Sequence, residues 1–149
     1  MNTEKSIEIL NSLIQINNDR IKGYETASKE ADETDLKTLF SHFTETSLKC
    51  KSDIVAEVKR LGGTATEGTT TSGKLFRVWM DIKSAMTGSD RKAIINSCEY
   101  GEEAALDTYD DALAHTEDLS SEQLMMIKEQ QSAIKANQQK IKDLSNHMA

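Results

Sequence analysis

The sequence predicts an all-α domain: a four-helix bundle of two antiparallel hairpins, joined by a long crossover that carries a short extra helix. Three observations predict it. The chain of 149 residues has no proline, seven glycines and only 5% aromatic residues, beside abundant Glu, Lys, Leu, Ile, Ala and Gln, which is the composition of long helices. Apolar residues recur at three- and four-residue spacing along four long stretches. Those stretches fall into two pairs, each joined by a short polar turn, and a segment of different texture separates the pairs. One domain over residues 1–149 buries roughly two thirds of its unfolded surface, so it needs neither metal nor disulfide to fold.

The first helix is expected from Thr3 to Ala31, with Ile7, Leu10, Ile14, Asn17, Ile21, Tyr24, Ser28 and Ala31 on a near-heptad stripe widened by Leu13, Ile16 and Ala27. Asn17 inside that stripe, with the run NNDR (Asn17 to Arg20), points to a buried hydrogen-bond network. After the turn ADETD, with Thr34 or Asp35 as cap, the second helix runs to Leu61 on Leu36, Phe40, Phe43, Ser47, Cys50 and Ile54, and Gly62 and Gly63 end it. Residues 62–89 form the crossover. Within it Lys74 to Met86 makes a short helix, with Phe76, Trp79, Met80 and Lys83 on one face and Leu75, Val78, Ile82 and Met86 on the next. So much apolar circumference suggests that Trp79 is substantially buried, across the bundle's end or in a contact with a second copy.

Ser89 or Asp90 caps the third long helix, whose stripe is Ile94, Cys98, Gly101, Ala105, Tyr109 and Ala112. HTEDL bends the chain, Ser120 to Gln123 reads as a capping box, and the fourth long helix carries Leu124, Ile127, Gln131, Ile134, Gln138, Ile141 and Leu144.

A net charge of -7 argues against nucleic acid and anionic membrane as partners, because both demand a basic surface. The start MNTEKSIEIL lacks the apolar run of a signal peptide, and no stretch of about twenty apolar residues exists to cross a bilayer, so the expected compartment is the cytoplasm. Cys50 and Cys98 are expected as free buried thiols. With the second and third helices parallel, their heights differ by about six residues, roughly 9 Å of rise, whereas a disulfide needs Cα atoms within about 7 Å.

The runs INNDRIKGYETA, LGG, GKLFRVWMDIKSAMTG and CEYGEEAALDTYDDAL, in that order, resemble an uncharacterised bacterial ferritin-like four-helix-bundle family, a family of unknown function. The resemblance covers nearly the whole chain and implies a ferritin-like fold, with no activity, substrate or cofactor attached.

Di-iron sites in ferritin-like bundles take a Glu from each of two helices and a Glu-x-x-His from each of the other two. This chain departs from that pattern. Glu45 is followed at i+3 by Leu48, and Glu129 by Ser132. His42, His115 and His147 do not cluster by spacing and suit surface or capping positions. Glu25, Glu99 and Glu102 fall in the same half of the bundle and are the candidate metal residues. Without imidazole they suit a hard divalent cation such as Mg, Mn or Ca through oxygen ligands, with Fe as a further candidate. The plainer reading turns Glu99 to solvent and bonds Glu102 to Asn17, Tyr24 or a Gln across the core, in which case leucine at 102 should be tolerated. No phosphate loop, zinc-spaced cysteine pair or nucleophile elbow is present in the sequence.

Two functions follow. The first is a non-enzymatic, cytoplasmic helical protein without cofactor that acts through association, as a homo-oligomer built on the crossover helix, with stress physiology as one setting. The second is a carboxylate-ligated metal-binding or redox protein with a reduced di-metal site at Glu25, Glu99 and Glu102.

Overall fold

The computed structural model describes residues 3–69, 73–88 and 90–147, except the side chains of residues 73–76, 78 and 147. Among them the chain forms α1 (Thr3–Glu30), α2 (Thr34–Arg60), α3 (Gly73–Thr87), α4 (Arg91–Leu113) and α5 (Ser121–His147), with a 3₁₀ turn at Thr116–Asp118 and no strand. None of these helices is long and apolar enough to cross a membrane.

The helix ends follow local chemistry. Gly62 takes a φ of 82°, and the Gly63 and Gly62 amides donate back to the carbonyls of Val58 and Lys59, a Schellman closure that needs a residue free of Cβ strain. Asp90 caps α4 by accepting from the Ala93 amide, while Ser89, the other expected cap, lies outside the described residues. The capping box at α5 is reciprocal: the Gln123 amide donates to Ser120 Oγ, and the Ser120 amide donates to Gln123 Oε1. The start of α2 differs from expectation. Glu33 is its N-cap residue, and Thr34 and Asp35 already lie in the first turn.

α1 packs on α2, α4 and α3, and α5 on α4 and α2. The pairs Arg20–Ser47, Asn17–Tyr109, Tyr109–Gln130 and Cys50–Gln130 tie α1 to α2, α1 to α4, α4 to α5 and α2 to α5. Arg91 reaches from the start of α4 to the α1–α2 turn, donating to Glu33 at 2.5 Å and to both oxygens of Asp35 at 3.1 and 2.7 Å. Ser6 Oγ donates to the Asp118 carbonyl and pins the start of α1 beside the bend between α4 and α5.

Two apolar clusters fill the interior. One holds Leu10, Leu13, Ile16, Ile54, Tyr109, Ile127 and Ile134; the other holds Tyr24, Phe40, Phe43, Ile82, Cys98 and Ile141. Tyr24 organises the second, stacked on Phe40 with centroids 5.7 Å apart and meeting Phe43 and Trp79 edge-on at 5.1 and 5.2 Å. Trp79 is half-buried, against α1, while Met80 beside it is 50% exposed. The other residues of those two α3 faces that fall outside the described side chains are Leu75, Phe76 and Val78.

The inward face of α5 differs from the expected stripe. Gln131 is buried as expected, but Gln130 and Asn137 are buried too and Gln138 is only half-buried, so the helix faces inward along Ile127, Gln130, Gln131, Ile134, Asn137 and Ile141. The isoleucines were legible from their spacing; which of the flanking amides turned inward depended on α2, which receives hydrogen bonds from Gln123 and Gln130.

Trp79 rests on Gly23, where a Cβ would lie 2.4 Å from the indole Cε3. Alanine is the better helix former by about 1 kcal/mol, yet Gly23→Ala forces the ring off α1. We expect no rise in melting temperature and a red shift in the emission of this single tryptophan; an unshifted, more stable variant would show that the contact is slack.

Candidate functional site

A polar layer separates the two apolar clusters. Arg20 lies between Ile16 and Tyr24 on α1, Ser47 between Phe43 and Ile54 on α2, Glu102 between Cys98 and Ala105 on α4, and Asn137 between Ile134 and Ile141 on α5. All four are buried, Glu102 at 0% and Arg20 and Asn137 at 1% exposure.

Arg20 Nη2 donates to Glu102 Oε1 at 2.8 Å, and Arg20 Nη1 donates to Ser47 Oγ at 2.5 Å. Tyr24 donates to the same Glu102 oxygen at 2.6 Å, and its ring lies 5.5 Å from the guanidinium carbon. One turn away, Asn17 Nδ2 donates to Tyr109 Oη at 2.8 Å, Tyr109 donates to Gln130 Oε1 at 2.7 Å, and Gln130 Nε2 donates to the Cys50 carbonyl at 3.2 Å. The network thus spans all four long helices. Four buried atoms of this network and layer have no hydrogen-bond partner: Asn17 Oδ1, Arg20 Nε, Glu102 Oε2 and Asn137 Nδ2.

Burial by itself would depress the Arg20 pKa, but the Glu102 carboxylate beside it more than offsets that and holds it above the ordinary arginine value. Burial, reinforced by the Glu102 charge, pushes Tyr24 and Cys98 up. Tyr109 rises through burial and its nearness to Cys50, and Cys50 rises through burial. Both cysteines are free, and their buried, protonated thiols are poor nucleophiles.

Of the three candidate metal residues, only Glu102 lies in the interior, bonded to Tyr24 and Arg20. Glu99 is half-buried, and Glu25, placed by the spacing at the edge of the inward stripe, is exposed. Among the described residues, the one group of three ligand atoms within 4.8 Å of one another is His115, Glu117 and Asp118, at the bend after α4, and it includes none of these glutamates. His42 is exposed, and His147 falls outside the described side chains.

Sequence reasoning put Arg20 in a buried network through the run NNDR but did not set it opposite Glu102. Asn17, Arg20 and Tyr24 stand at i, i+3 and i+7, so the signal existed, but an arginine in such a pattern reads as the edge of a stripe. The cation opposite Glu102 is therefore a side chain of α1.

These features define a class, an all-helical domain built around a buried ionic and hydrogen-bonded layer. The chain belongs to the family described as Domain of unknown function (DUF2383), whose model matches residues 5–115, from α1 to the end of α4. No curated protein matches the chain.

With Arg20 as the partner, leucine at 102 is no longer a mild change. Glu102→Leu leaves a buried guanidinium without its counter-charge, at a cost of about 3–5 kcal/mol. The double replacement Arg20→Leu/Glu102→Leu should recover much of that in urea unfolding, and a cycle with no coupling would contradict the pair.

The raised thiol and phenol pKa values set an alkaline limit. The folded state keeps protons that the unfolded chain releases above about pH 8.5 for cysteine and about pH 10 for tyrosine. Stability is therefore whole below about pH 8.5 and declines as pH rises beyond it. Melting curves from pH 7 to 10.5 should show this decline, and Cys98→Ala should make it shallower while Cys50 keeps its onset.

Proposed function

We propose that the chain is a ferritin-like four-helix bundle of the bacterial cytoplasm that works by association and not by catalysis. The observation that carries this reading is the Arg20–Glu102 pair in the central layer. A carboxylate-bridged metal centre gathers several carboxylates and imidazoles around a cation. Here the interior carboxylate already faces a guanidinium, Glu25 is exposed and no histidine among the described side chains joins them, so the donor set does not fit such a centre.

The neighbour pairs support the ferritin-like reading. α1 packs on α2 and α4, and α5 on α4 and α2, with α3 in the long connection between the hairpins. For association the support is α3, where half-buried Trp79 and exposed Met80 line a cleft of about 230 Å³ against Gly23 and Ala27 of α1. The proposed occupant is a second copy of the chain, whose Met80 would enter the cleft across a two-fold axis.

Two measurements test this. Protein purified from medium supplemented with iron and manganese should carry far less than one metal ion per chain, and a stoichiometric metal would overturn the non-metal reading. Sedimentation should show a dimer that Met80→Asp converts to monomer with its helix content intact. A wild-type monomer at all concentrations would remove the association through α3.

A further inference from the structure

The central layer has a donor and an acceptor left over. Glu102 receives both of its hydrogen bonds on Oε1, and Oε2 has none, although the residue is fully buried. Asn137 Nδ2, also buried, has none either. A buried carboxylate oxygen without a partner is costly, and so is a buried amide donor.

The two face one another by helical arithmetic. Tyr109 of α4 bonds Gln130 of α5. Glu102 stands seven residues before Tyr109, and Asn137 seven after Gln130, which is two turns along the same faces of an antiparallel pair. Their flanking residues agree: Ile134 and Ile141 border Asn137, Ala105 and Cys98 border Glu102, and each pair divides between the same two apolar clusters.

Gln130 does meet α4, accepting from Tyr109 on Oε1, and Asn137 is the shorter amide two turns further on. Gln123, Gln130 and Asn137 repeat at sevens, and the first two use their Nε2 to reach α2, at the Glu57 carboxylate and the Cys50 carbonyl. The third amide is shorter by one methylene. We propose that a buried water molecule fills this gap, accepting from Asn137 Nδ2 and donating to Glu102 Oε2. Water suits the position because it donates and accepts at once, and internal waters commonly satisfy otherwise unpaired buried groups, roughly one for every 27 residues. Arg20 Nε and Asn17 Oδ1 add a second unpaired donor and acceptor beside the same layer, so the layer is a polar site that takes water-sized molecules able to do both. This inference does not depend on the association reading.

The test is NMR hydration spectroscopy on the full chain. The Asn137 side-chain amide protons should show a cross-peak to a long-lived water; its absence, with a direct coupling across an Asn137–Glu102 hydrogen bond, would overturn the proposal. Asn137→Gln supplies the missing methylene and should displace the water, so the cross-peak vanishes while the melting temperature is held or raised. If the glutamine variant melts well below the wild type, the layer has no space of water size and the proposal fails.

Discussion

The buried pair of Arg20 and Glu102 is the constraint on which the rest of the structure depends. Taking both charges out of water carries a large desolvation penalty, which the pair offsets only with close geometry and further hydrogen bonds. Here Ser47 and Tyr24 supply those bonds, one from α2 and one from α1 itself. Sliding α4 by one turn along α1 would bury Arg20 opposite an apolar residue and leave Glu102 without a cation. The apolar clusters above and below tolerate such shifts far better, because one isoleucine packs much like another. The ionic layer thus sets register, and the apolar clusters supply most of the burial.

Tyr24 couples that layer to the crossover. Its hydroxyl donates to Glu102, its ring faces the Arg20 guanidinium, and its edge contacts include Trp79. α3 therefore rests on the residue that holds the ion pair, through a close approach that Gly23 allows. A partner engaging α3 would act on the same tyrosine through Trp79, which lines the cleft and meets the Tyr24 ring edge-on.

The candidate site was legible in outline. NNDR announced a buried polar network, and Asn17 and Arg20 are both in it. Glu102 was placed on the inward face, with Tyr24 among its expected partners. The missed feature was the cation. Charge at a stripe edge is read as solvated unless something opposite requires it, and the opposite residue lies 82 positions along the chain. For Glu25, one residue past Tyr24, a rotation of about 100° on the helix separates the core from solvent.

The sequence by itself determined the helices and most of their ends, the start of α2 excepted. Helical period, the Gly62–Gly63 stop, the Ser120–Gln123 capping box and the absence of proline are local properties, and each acts within about one turn. The tertiary structure alone decided which buried polar groups meet. That Arg20 faces Glu102, that Gln130 and Asn137 turn inward where Gln138 does not, and that Trp79 lies on Gly23 are matters of register between distant helices. Register follows from the summed contacts of whole faces, and no single stretch of residues contains that sum.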